Sequence, residues 1–223
     1  MNPYRALSRL RRKRGFHPFG VGFAGRLTPR GETGFGAPAF EREAKAEVRL
    51  SRSLGLPEWL PEPYGLALRI PDAYGPGRHQ DLLLVTSALP PGARHTLLPS
   101  RGFCDLPYST VLPYRVRGEK VLIGARGLAD RPGPTLADLR ARENGGLEFE
   151  LMIASLTGEW RPVARLSLGE RLPPEYTEHL HFDPTNTGGG LELVGLLNKL
   201  RDPAYAASQE GREAAYEQFG VPR

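Results

Sequence analysis

The chain has 223 residues, 39% of them apolar and 25% charged, with a net charge of +5. That composition supports a packed globular core, in one domain of generous size or a barrel with appended helices. No apolar run approaches the ~20 residues of a membrane-spanning helix. The basic N-terminus has no apolar stretch behind it, so no secretory signal is expected. The single cysteine, Cys104, excludes an intramolecular disulfide and fits a reducing, cytoplasmic setting.

Residues 2–13 are expected to form an N-terminal helix, with Asn2 as N-cap, Pro3 in the first turn and Leu7 and Leu10 on one face. The N-terminus carries the basic run of Arg5, Arg9, Arg11, Arg12, Lys13 and Arg14. No helix-turn-helix, zinc-finger or RNP-type motif follows, so the run reads as a solvated face rather than a specific nucleic-acid site.

From residue 16 to about 182 the pattern changes to short alternating runs separated by glycine and proline. Strands are expected over 16–28, 45–52, 65–70, 81–88, 119–126, 147–155 and 160–168, with a short helix over 134–143. Their number and spacing suggest an antiparallel sandwich or barrel. A barrel would remove exposed edges and leave a mouth or side groove for one ligand. Beyond Asp183, "TNTGGG" is a break. "LELVGLLNKLRD" and "PAYAASQEGREAAYEQF" then read as two C-terminal helices, within 187–219, too short to be a domain of their own. The expectation is therefore one α+β domain over 1–223.

Common enzyme signatures (G-x-S-x-G, the P-loop, H-E-x-x-H, C-x-x-C) are absent. "HLH" at 179–181 would place two histidines on one face of a strand, a weak metal signal. The stretch "RGFHPFGVGF" is more specific. It spaces Arg14, His17, Gly20 and Gly22, with Gly25 beyond, and "EVRLS" follows with Arg49 and Ser51 on one strand face. His17 taken alone reads as a satisfied core histidine.

In order along the chain, these motifs resemble the core of the heme catalase superfamily. The similar segments are the R-x-x-H-x-x-G-x-G-x-x-G strand, the "EVRLS" strand, "GLALRI" with Gly65 and Ala67, and "DLLLV" with Asp81 and Leu82. "PYSTVLPYRVRG" and the "LHFDP" to "LRDPAY" tail complete the series. The resemblance implies a catalase-like antiparallel barrel with helices packed on it, holding heme b and its iron. It implies an oxidoreductase, acting as a peroxidase or weak catalase on hydrogen peroxide or an organic (lipid) hydroperoxide. His17 would be the acid–base group, with Ser51 orienting it or lining the pocket. Arg14 and Arg49 would hold heme carboxylates, and Gly20 and Gly22 would let the porphyrin approach the strand. Tyr205 would ligate iron with Arg201 one helical turn earlier. Where catalases carry a paired asparagine this chain has Val85 and Thr86, which turns the expectation away from efficient hydrogen peroxide disproportionation. The rival reading is a non-catalytic barrel that binds heme or another apolar ligand, or serves as an interaction module. A homo-oligomer stays open; no specific nucleic-acid partner is expected.

Overall fold

A computed structural model of the chain describes residue 17 and residues 19–30, 37–129 and 132–194. The expected helix over 2–13 and most of the expected C-terminal helices lie outside these residues. Among these residues ten strands form one antiparallel sheet: β1 (Phe19–Pro29), β2 (Ala44–Arg52), β3 (Tyr64–Ile70), β4 (Gln80–Thr86), β5 (Tyr108–Ser109), β6 (Tyr114–Val116), β7 (Glu119–Gly127), β8 (Glu148–Ser155), β9 (Arg161–Arg171) and β10 (Leu191–Leu193). The sheet closes. Strand order runs β7-β5-β4-β3-β2-β1-β9-β8, and β8 returns to pair with β7. This is an eight-stranded barrel, with β6 and β10 extending the β7 edge.

Side-chain alternation explains the closure. On β1, Val21, Phe23 and Leu27 are buried and point inward, while Ala24 and Arg26 between them are exposed. Val48 and Leu50 on β2, Leu66 and Leu68 on β3, and Phe149 and Leu151 on β8 continue that inner layer, each fully buried. Each contributes ~1.5–3 kcal/mol by leaving water. The interior is taken: eight strands enclose a space that side chains fill. Any ligand site on β1–β4 lies on the outer surface.

Among the described residues two short α-helices pack on the barrel. In α1 (Leu136–Ala141) Thr135 and Asp138 form a reciprocal capping box. The turn α2 (Pro174–His179) lies on the outer face of β1. The structure corrects two expectations. His179 closes α2 instead of sharing a strand face with His181. Leu191–Leu193, expected to open a C-terminal helix, is strand β10 on β6. The glycines explain the change: Gly189 and Gly190 have φ of +59° and +84°, and this left-handed turn sends the chain along β6.

Candidate functional site on the outer face of β1–β4

Strand register places outward-facing residues in rows across β1, β2, β3 and β4. One row is Gly20–Ser51–Gly65–Val85 and the next is Gly22–Arg49–Ala67–Leu83. A third joins Ala24, Glu47, Arg69 and Asp81. Small residues alternate with functional ones, so side chains rooted on β2 can lie over glycine on either side. Arg49 and Ser51 are 6% and 3% exposed although they do not face the barrel interior. Something therefore covers the outer face here, and part of that cover is His17.

His17 is held from three directions. Its backbone N–H donates to Ser53 O at 2.9 Å. Its carbonyl accepts from the Arg49 guanidinium at 3.0 Å. Its Nδ1 is 2.8 Å from Ser51 Oγ. The Nδ1–Cε1 edge of the ring rests on Gly65: a Cβ there would lie 2.3 Å from Cε1 and 2.5 Å from Nδ1. The backbone of His17 has φ of +54°, a left-handed conformation uncommon for a residue with a side chain. Such a conformation persists where surrounding contacts determine it, and it concentrates at functional sites. Nε2 has Ser53 Oγ at 3.4 Å, longer than a strong hydrogen bond.

Gly20 and Gly22 make room for this chain's own side chains. A Cβ at Gly20 would lie 2.6 Å from the Arg49 Cζ, and one at Gly22 would lie 2.4 Å from Thr177 Oγ1. Thr177, on α2, is buried, and its hydroxyl has no hydrogen-bond partner. The Leu172 N–H donates to Gly22 O at 2.9 Å and anchors the start of this cover. Beside His17 the face is apolar: Val85 is the register partner of Gly65, with Ala67 and Leu83 in the next row, all three half-buried. Thr86 points inward, where its hydroxyl accepts from Tyr64 N and donates to Leu98 O.

Asp81, one of the residues carrying the sequence resemblance, has a structural place. Fully buried, it pairs with Arg69 through two hydrogen bonds of 2.8 and 2.7 Å. It also accepts from Asp183 N and Asn186 Nδ2. The hydrogen bond to Asp81 holds the Arg69 guanidinium above its usual pKa. The pair straps residues 183–186 to the barrel.

The structure thus brings together His17, Ser51, Arg49, Gly20 and Gly22. Arg14, Arg201 and Tyr205 lie outside the described residues. Among the described residues no group of three or more His, Cys, Asp or Glu side chains is arranged to hold a metal ion. None of their helices is long and apolar enough to cross a membrane. Sequence reading missed Ser53, Thr177 and the role of Gly65 as the seat of His17. The Ser51-x-Ser53 spacing was a usable signal; Thr177 gave none, because "PPEYTEH" is too short to show a helical period.

No protein-family model matches the chain. No curated protein matches it either. A solved structure described as that of a bacterial catalase superimposes with a TM-score of 0.61 over 95% of this chain, at 14% identity. This chain spans 60% of that protein's length. What the likeness shows is the fold, a catalase-like β-barrel.

Proposed function

We propose that the protein is a heme-dependent peroxidase of the catalase-like type, acting on an organic hydroperoxide. One observation carries the reading. His17 is held in a left-handed backbone conformation, seated on Gly65, with Nδ1 on Ser51 and its carbonyl on Arg49. A histidine in a structural role gains nothing from that strain, whereas an acid–base group gains a fixed direction for Nε2.

On this reading heme b would lie on this side of the barrel. It would rest on the half-buried Ala67, Leu83 and Val85, which lie in the register rows of Gly65 beside the imidazole. Arg14 would meet a heme carboxylate, and Tyr205, with Arg201, would be the iron ligand. When bound, heme supplies the two-electron redox chemistry that cleaves a peroxide O–O bond. The protein's part is to move a proton. Nε2 accepts it from one peroxide oxygen and returns it to the other as that oxygen leaves. Ser51 Oγ fixes the ring at Nδ1, and Arg49 acts as a positioning residue by holding the His17 carbonyl. Thr177 closes the face over Gly22.

The occupant next to His17 chooses the substrate. Val85 presents methyl groups where an amide would hold hydrogen peroxide by hydrogen bonds. A hydroperoxide with an apolar body fits better there.

Hemin titration tests the cofactor: a Soret band distinct from free hemin is expected, and a spectrum unchanged from free hemin would overturn the reading. With heme bound, His17→Ala should keep the band and lower hydroperoxide turnover by ~10²–10⁴-fold. Equal turnover would show that His17 is only packed.

A further inference from the structure

We infer that Ser53 is a further positioning residue of the His17 site, its hydroxyl holding Nε2 of the imidazole as Ser51 holds Nδ1. That role rests on the acid–base function proposed for His17. Ser51 Oγ lies 2.8 Å from Nδ1, and Ser53 Oγ lies 3.4 Å from Nε2. Both serines are buried. Residues two apart in extended chain advance ~6.6 Å and share a face. That is about the span of an imidazole with a partner at each end, so one extended segment brackets the whole ring.

Ser53 is itself fixed. Its N–H donates to Pro63 O at 3.0 Å, and its carbonyl accepts from the His17 N–H at 2.9 Å. Main chain and side chain of this one residue therefore both meet His17. Before it, Arg52 is anchored by a 2.6 Å ion pair with the buried Glu62 carboxylate. After it, the same carboxylate accepts from the N–H groups of Leu54, Gly55 and Leu56. Among the described residues the imidazole is the one hydrogen-bond partner of the Ser53 hydroxyl.

An acid–base group must gain and lose a proton in each turnover. A carboxylate beside the ring would favour its charged form, and a carbonyl would fix one tautomer. A hydroxyl does neither, because it rotates to donate to a bare nitrogen or to accept from a protonated one. With a hydroxyl on each side, both ring nitrogens keep a partner in either protonation state, and no N–H is orphaned as the proton moves. At 3.4 Å the Ser53 contact is long, so it steadies Nε2 yet yields to a closer ligand oxygen. Ser87 is the contrast: its buried hydroxyl has no partner among the described residues.

The test reads the ring nitrogens of His17 by nitrogen NMR, in the full chain without heme and with isotope-labelled histidine. His17→Ala identifies the signals. Wild type is expected to populate both tautomers, with each shift between those of a protonated and a bare nitrogen. Ser53→Ala should drive the proton to Nδ1, where Ser51 accepts it, because an Nε2–H loses its Ser53 acceptor. Ser53→Thr should restore the wild-type pattern, and Ser87→Ala should leave it unchanged. In hemin-loaded protein, Ser53→Ala should lower kcat for an organic hydroperoxide about tenfold, the worth of one hydrogen bond, with KM unchanged. Ser53→Thr should recover it. Circular dichroism of both Ser53 variants should match wild type, since the Ser53 backbone keeps its bonds. Unchanged His17 nitrogen shifts in Ser53→Ala overturn the inference. So does a kcat equal to wild type. Failure to bind hemin would instead end the peroxidase reading, and the nitrogen shifts of the heme-free protein would still decide whether Ser53 positions His17.

Discussion

Gly65→Ala isolates the seat of His17 without touching any functional group. The added methyl would lie 2.3 Å from Cε1, 2.5 Å from Nδ1 and 2.9 Å from Ser51 Oγ. Carbon atoms in contact prefer ~3.5–4.0 Å, so the ring must retreat by about 1.2 Å or more. Its backbone cannot easily follow, because both the N–H and the carbonyl of His17 are tied to β2 residues or the segment just after them. The retreat stretches or breaks the 2.8 Å contact with Ser51. Overpacking of this size costs ~1–3 kcal/mol of stability. A misplacement of ~1 Å in a reacting group costs ~10²-fold in rate. Gly169→Ala serves as the control, since its methyl would meet Ala24 O at an ordinary 3.6 Å. Equilibrium urea denaturation and hydroperoxide turnover of the hemin-loaded protein would be measured for both. A Gly65→Ala variant as stable and as active as Gly169→Ala would refute the seat and, with it, the reason for the strained backbone.

Two further outcomes are expected. Glu62→Gln should destabilise the fold by ~3–5 kcal/mol in urea titration, because Arg52, 3% exposed, keeps its charge and loses its ion-pair partner; a loss below ~1 kcal/mol would show that water reaches the pair. Burial raises the Cys104 thiol to about 11 from its ordinary 9.0, so native protein at pH 8 should react with iodoacetamide far more slowly than urea-unfolded protein. The unfolded thiol ionises first as pH rises, so this group lowers stability between pH 9 and 11. Equal alkylation rates in the two states would contradict its burial.

Much of the barrel was legible because its long strands show period two on a half-buried sheet. "AEVRLS" and "GLALRI" alternate cleanly, and their structural ranges, Ala44–Arg52 and Tyr64–Ile70, differ from the sequence ranges by one residue. Strands β5, β6 and β10 have two or three residues each, too few to show any period, and only their partners define them. "LELVGLLNKLRD" has helical spacing, yet Leu191–Leu193 pairs with β6 because the preceding glycines turn the chain there. At the site, the face shared by Arg49 and Ser51 followed from alternation. The contact of His17 with Gly65 did not, since it depends on the registers of β1, β2 and β3 at once. Local sequence carries no information about a register set by three strands.

Closure of the barrel also sets an order of events during synthesis. Strands β1 to β4 pair with their neighbours in sequence, so the face that carries His17 assembles from the first ninety residues or so. The other edge of β1 has to wait for β9: Leu27 pairs with Leu166, roughly 140 residues later. At ~5–20 residues per second, that edge stays bare for ~7–28 s on every ribosome. A bare edge is a template for foreign strands. Strand β1 is poorly suited to that misuse, because Gly20, Gly22 and Gly25 give it low β-propensity and Pro29 ends it. The glycines that make room for Arg49 and Thr177 in the finished barrel also keep the nascent one from pairing with the wrong chain.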